Sequence, residues 1–541
     1  MKRACLTALV GMLAAACGSR TVSYQVQIIG VACTSDPSTS PFPSTGTITL
    51  TVTGDGIAKP LSASYDLGAG AGQINSIPAG THRVISLVVT SSGQTVSVGQ
   101  SLPFNVPDAL PSPNVPIPVT VFARRVSVFT QTNLAAAPTT CSSMMSPRAG
   151  HTATLLQDGR VFIAGGFVLD GGSLGDGGEA IALASTEIYD PTTGAFTAGG
   201  TLQVPDSTGH PGTPLPRAFH TATLMPSGLV LLAGGEWYRD GATLPLQGAL
   251  VFGPSQPANQ AFGDIEMNAP RTRLGAGVDA SGRVIVFGGY GAGGNLNDTV
   301  EWWDPNDPNT WTGPFYKANV MAGGSGGGPF SLPLVGMSVA PVAGGNQIAV
   351  LGGLAGGLDG GAQQVSGAIT YFSYDAGTFR ATQAASPLPQ PTSSAAVAPF
   401  IDTSRVILAG GYDGSASPLP LLQVVTSSGS VTQQPTTLAT ARGDLCAAAL
   451  ADGRVLTAGG RTFQTGMAQS LGTVELIANN SGTAAVLPQQ ALPTPRSNHT
   501  CTTLKDGSVL ILGGMNEQNG QQTILQDALI YMPQPTTTPP N

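Results

Sequence analysis

Charge is scarce in this chain. Asp, Glu, Lys and Arg together make up 10% of its 541 residues, and the 22 Lys and Arg nowhere gather into a stripe. Nucleic acid and anionic lipid headgroups both require a basic surface, so neither is expected as a partner of the folded protein, and the formal charge of −8 points the same way. The apolar run from Ala4 to Ala16 is too short to span a bilayer. None of the many glycine pairs sits in a strand, GxxxxGK[ST], helix context, which removes a phosphate-cradling loop. What the chain does have is 73 Gly, 43 Pro and abundant Thr, Ser and Val, a composition of short strands joined by tight turns. The expected class is all-β.

The opening segment MKRACLTALVGMLAAACGSR places Lys2 and Arg3 before an apolar run and small residues before Cys17, the layout of a secretory signal over residues 1–16. It resembles a bacterial lipoprotein signal, although Leu13 sits one place earlier than the motif prefers. The resemblance implies acylation of Cys17 and, because Gly18 follows where an Asp would favour the inner membrane, a lipid anchor in the outer membrane. Cys33, Cys141, Cys446 and Cys501 then remain, as two disulfides in one of three connectivities or as buried thiols.

Residues 17–123 alternate apolar and polar in segments such as TGTITLTVTG and HRVISLVVTSSGQTVSVG, separated by Pro, Ser and Gly turns. A small β-sandwich is expected. The stretch SIPAGTHRVISLVVTSSGQ resembles the final hairpin of transthyretin-like or immunoglobulin-like modules, which implies a spacer.

From residue 146 to 532 the chain repeats. An apolar run ends in a glycine pair seven times, at VFIAGG, VLLAGG, VIVFGG, IAVLGG, VILAGG, VLTAGG and VLILGG. Seventeen residues before the first Gly stand Arg148, Arg217, Arg271, Arg442 and Arg496, with Val335 and Ser393 in the divergent copies. A turn pair such as Asp158-Gly159 or Asp506-Gly507 falls between, so each unit opens with a hairpin. A second hairpin follows, as in STEIYDPTTGAFTAGG. Four strands per unit make a blade.

This unit resembles the kelch repeat, particularly that of the galactose oxidase central domain. The resemblance implies a seven-bladed β-propeller. The last unit lacks its fourth strand, and Val126 to Thr130, within residues 124–134, is expected to supply it. Residues 533–541 are expected to form a disordered tail. Galactose oxidase implies a copper ion held by two Tyr and two His, with one Tyr cross-linked to Cys. No adjacent Tyr-His pair occurs here, so no copper ligand carries over. His151, His220 and His499 hold one repeat position and belong to different sectors, which reads as scaffold.

The resulting expectation is a non-enzymatic envelope lipoprotein without cofactor or catalytic residue, whose propeller binds a protein or glycan. Its contacts would come from exposed aromatics in the loops after the glycine pairs, Trp237, Tyr238, Tyr290 and Tyr412. A copper-radical oxidase is the alternative. Asp170, Asp176 and Glu179 fall in an acidic Gly-rich loop that does not match an EF-hand and is expected to be a solvated insertion, with Ca²⁺ as its other reading. Cys446 and Cys501 are candidates for a bridge between blades.

Overall fold

The computed structural model describes residues 7–9, 24–30, 32–33, 37–67, 77–107, 117–171, 178–203, 212–239, 242–253, 261–307, 315–317, 321–322, 330–356, 364–375, 377–400, 402–464, 466–480 and 483–535. Among them the regular structure is strand, apart from short 3-10 turns, and no helix is long and apolar enough to cross a membrane. The chain is all-β, divided into many small sheets.

Toward the N-terminus, Thr47–Thr53, Leu61–Asp66, Gly80–Ser91 and Gln94–Gln100 pair antiparallel, and Tyr24–Ile29 runs parallel to Ile117–Phe122 in a second sheet. Ile48, Leu50 and Val52 meet Ile28, Val119 and Val121 in one buried cluster, as the alternating pattern requires. The parallel pair departs from a wholly antiparallel sandwich. Cys33 and Cys141 are joined, with Cα atoms 5.0 Å apart, and tie this part to the start of the repeats.

Among the described residues the repeats form seven sheets of four or five strands, besides five two-stranded ribbons. In the first, Thr152–Leu155, Val161–Ala164, Ser185–Asp190 and Ala195–Thr201 pair in chain order, all antiparallel. The others follow the same order with different lengths, and the fourth gains an extra strand, Met321–Ala322. Second strands such as Val161–Ala164 and Val509–Leu512 are buried throughout because sheets cover both their faces. The seventh sheet takes its fourth strand from far back in the sequence: Phe129–Gln131 pairs antiparallel with Ala528–Tyr531. Ser127, at φ 59°, bends the chain just before it and donates its N–H to the carbonyl of Met532.

Each sheet sets its first strand against the first strand of the next, and Thr500–Thr503 of the seventh lies against Thr152–Leu155 of the first. One backbone bond recurs at every junction. The second glycine of each pair donates its N–H to the next unit's carbonyl, at Arg217, Arg271, Leu334, Thr392, Arg442, Arg496 and, from Gly514, at Arg148, all within 2.8–3.0 Å. A Cβ on Gly165 would stand 2.3 Å from the Arg217 carbonyl, so close approach fixes glycine there. The divergent copies thus carry Leu334 and Thr392 at the Arg position, one residue earlier than the count to Val335 and Ser393. Their first hairpins hold an extra residue, in the Ala343–Gly345 turn and in the bulge at Pro399/Phe400.

The Arg side chains close bonds inside their own sheets. Arg148 donates to the Gly165 carbonyl at 2.7 Å and pairs with Glu187 at 2.5 Å, while Glu187 also accepts the N–H groups of Met145 and Ser146. Arg271 with Glu301, Arg442 with Glu475 and Arg496 with Asp527 repeat the ion pair, and Arg271 and Arg496 also donate to the carbonyls of Gly288 and Gly513. All five guanidinium groups are fully buried.

Candidate functional site

A residue in the left-handed backbone region follows two places after the Arg position in every unit: Gly150, Phe219, Arg273, Gly336, Ser394, Asp444 and Asn498, all with φ between 51° and 61°. Backbone bonds link them in two runs, one from Asn498 through Gly150 and Phe219 to Arg273, the other from Gly336 through Ser394 to Asp444. Gly150 donates its N–H to the Asn498 carbonyl, Phe219 to Gly150, Arg273 to Phe219, Ser394 to Gly336 and Asp444 to Ser394, at 2.7–3.3 Å. This conformation costs Phe219, Arg273 and Ser394 backbone strain that glycine does not meet and that Asp and Asn meet less. All seven line a cavity of about 1690 Å³ at one end of the sheets.

A second tier stands outside the first. The residue after each glycine pair bridges back to the residue after the Arg position, as in Ala149↔Phe167, Ala218↔Glu236, Thr272↔Tyr290, Ser393↔Tyr412 and Gly443↔Arg461. In five units the chain then continues as a two-stranded ribbon, for example Glu236–Arg239 with Ala242–Pro245 and Arg461–Gln464 with Met467–Ser470. These ribbons replace the irregular loops expected there, and they raise walls around the cavity.

Two matching constellations occupy different sectors of the wall. In one, the Tyr238 hydroxyl donates to Glu236 at 2.5 Å, Thr272 donates to the other carboxylate oxygen at 2.8 Å, and Arg273 stands 3.4 Å from Glu236 with its guanidinium over the Phe219 ring. In the other, the Tyr412 hydroxyl donates to Asp444 at 2.9 Å, and Arg461 pairs with Asp444 at 3.2 Å and lies 3.7 Å from Glu517. Burial, and then the adjacent carboxylate, push both phenols up from their ordinary pKa of 10. Each Tyr is a phenol, not a phenolate. Its oxygen keeps lone pairs for an incoming hydroxyl.

The three histidines hold sheets together. His220 Nε2 lies 3.0 Å from Thr152 Oγ1, His151 Nε2 lies 3.1 Å from Thr500 Oγ1, and His499 Nε2 lies 3.1 Å from Cys446 Sγ, each reaching into the preceding unit. Burial, then the nearby Arg148, lowers His151 to a pKa of about 3, and burial also holds His220 and His499 well below 6.5. Their outer edges line the cavity.

Cys446 and Cys501, on the first strands of the sixth and seventh sheets, are joined across the junction with Cα atoms 5.7 Å apart. Together with His499 they put three donor atoms within 4.8 Å of one another, a grouping that could hold a metal ion once the bond between the sulfurs is reduced. Sequence spacing hid the group because its members come from different units.

Of the aromatics expected to be exposed, Tyr290 and Tyr412 are buried at the cavity wall, Tyr238 is half-buried there, and Trp237 is half-buried away from it. Tyr290 and Tyr412 are each held by two backbone bridges, to Thr272 and Leu296 and to Ser393 and Pro418, in units that have no ribbon among the described residues. Asp170 and Glu179 face each other across the first ribbon, while Asp176 and Cys17 lie outside the described residues. Sequence reading missed Phe219, Arg273, Ser394, Asp444 and Asn498, as well as Glu236 and Arg461. Their signal is a fixed frame position, two after the Arg or one after the glycine pair, at which residue type changes from unit to unit.

No family model and no curated protein matches this chain. Its fold is similar to that of a solved fungal alcohol oxidase of the AA5 family in complex with copper, with a TM-score of 0.51 and 15% identity, covering 72% of this chain and 75% of that one. These findings correct the expectation of a non-enzymatic binding scaffold. The similar fold is that of an enzyme holding copper, and this chain carries a group of its own that could hold an ion.

Proposed function

We propose that this chain is an oxidoreductase that takes an alcohol-bearing, polyhydroxylated substrate into the cavity at the end of its seven sheets, which we infer to be the blades of a kelch-type propeller. In the reaction two electrons and two protons pass from a carbinol to dioxygen, giving an aldehyde and hydrogen peroxide. One observation carries the reading: two Tyr-carboxylate-Arg constellations and the seven left-handed residues converge on one cavity, with a metal-capable group at its edge.

Copper held by two Tyr and two His does not fit these residues. Tyr238 and Tyr412 are committed as phenols to Glu236 and Asp444, and the imidazoles of His151 and His220 give Nε2 to threonines of neighbouring units. Cys446, His499 and Cys501 do fit a soft ion, and reduced sulfur with one imidazole suits Cu(I) or Zn²⁺. Such an ion, when bound, supplies Lewis-acid polarisation of the alcohol oxygen. The chain's own part is positioning: Ser394 and Asn498 offer hydrogen bonds, the Tyr290 ring suits the C–H face of a polyol, and the ribbons limit water.

Oxygen uptake and peroxide release measured over a panel of primary alcohols and sugars test this, with metal content determined in parallel. Turnover that drops in Asp444→Asn is the expected result. A fully metal-loaded chain inert across the panel defeats the proposal. We also propose anchoring at the outer membrane through acylated Cys17; Cys17→Ala should then leave the membrane fraction, and unchanged partitioning counts against the anchor.

A further inference from the structure

We propose that the Cys446–Cys501 disulfide is a redox gate on metal binding: reduction converts a covalent link between the sixth and seventh sheets into a site of two thiolates and one imidazole at the cavity edge. The inference rests on the oxidoreductase reading only for what the ion is used for.

Frame position argues first. Four residues after their Arg, the first and seventh units carry Thr152 and Thr500, and each hydroxyl meets the Nε2 of the next unit's histidine. The sixth unit has Cys446 at that position, and its sulfur meets His499 Nε2 at 3.1 Å. A hydroxyl would serve the junction equally well, so the sulfur calls for another reason. Cys501 supplies it, one residue after Thr500, with its donor atom inside the same 4.8 Å group. Cys33–Cys141 gives the contrast, because among the described residues no imidazole joins that pair in a metal-capable group.

Three protein donors leave one position open on a tetrahedral ion, as in catalytic rather than structural sites. His499 lines the cavity, which places the group within reach of a substrate there. The chemistry balances without other groups. A dithiol delivers two electrons and two protons to the S–S bond, which breaks into two thiols while the dithiol closes to a disulfide. The entering ion then displaces both thiol protons into solvent and takes two thiolates and the imidazole. Reoxidation by a disulfide runs the sequence backwards and expels the ion.

Co²⁺ is a suitable probe because cobalt bound to thiolate absorbs in the near ultraviolet. The full chain, reduced with a dithiol and freed of it without air, should take up about one Co²⁺ with that absorption, and the oxidised chain should take up none. Cys446→Thr restores the residue used by the sister units, so it should melt where the reduced unsubstituted chain melts, below the disulfide-bonded one, and lose the band. The double variant Cys33→Ser, Cys141→Ser should retain the band. Equal Co²⁺ uptake by the oxidised chain, no uptake by the reduced chain, or a band surviving in Cys446→Thr overturns the gate. A reduced chain that binds Co²⁺ supports the gate even if it oxidises no alcohol, an outcome that counts against the oxidase reading alone.

Discussion

Arg217 is the odd member of its set. It is fully buried like the other four, and it donates to the Gly234 and Gly248 carbonyls, but its Nη2 has no partner among the described residues. Register explains the gap: Leu250 lies opposite Leu232 as Glu187 lies opposite Ile163, so a leucine occupies the acid's place. Burial lowers this guanidinium to a pKa of about 10. Leu250→Glu is therefore expected to hold or raise the urea midpoint, whereas Leu231→Glu, on the opposite face, should prevent folding. Glu301→Gln, which strands Arg271, is expected to lose about 3–5 kcal/mol in the same measurement. The buried histidines add a pH dependence. An unfolded imidazole takes its proton near 6.5, but His151 does so only near 3, so between those values the unfolded chain binds more protons and stability falls as pH drops. Unfolding free energies measured from pH 7 to 4 should decline, and His151→Gln should flatten the slope by up to about 1.4 kcal/mol per pH unit. At this scale the recurrence of Arg and His was legible. The left-handed set was not, because neither Phe219 nor Arg273 has a residue type that announces a positive φ.

The hairpins and glycine pairs were plain at the scale of elements, since alternation and turn residues are local properties. Two features escaped. Extra residues at Ala343–Gly345 and Pro399/Phe400 shift the Arg position by one, and a fixed count cannot see a bulge. The segments after the glycine pairs looked like loops because their strands are only two to four residues long, held by a bridge at the base and by neighbouring ribbons. The strand Phe129–Gln131 offers the clearest test of an element. Phe129 is buried against Tyr531, with ring centroids 5.0 Å apart. Phe129→Ala is expected to destabilise by about 3–5 kcal/mol. Deleting residues 124–133 should lower the melting temperature well beyond that, and an unchanged calorimetric trace would show that the last sheet does not depend on this strand.

For the molecule as a whole, the seven-fold count, the all-β class and the paucity of charge could be read directly, while the site could not. Its residues come from every unit, and a sequence read along its length gives no cue that residues as distant as Phe219 and Asn498 line one opening. The pairing of Phe129–Gln131 with Ala528–Tyr531 also has a consequence for how the protein is made. During synthesis the early strand emerges long before its mate, so it must stay unpaired while six sheets assemble beside it. Such distant pairing slows folding and leaves an edge open to wrong partners. A nascent chain halted short of Ala528 should remain open to protease around Phe129, and protection there should arrive only with the last few residues translated.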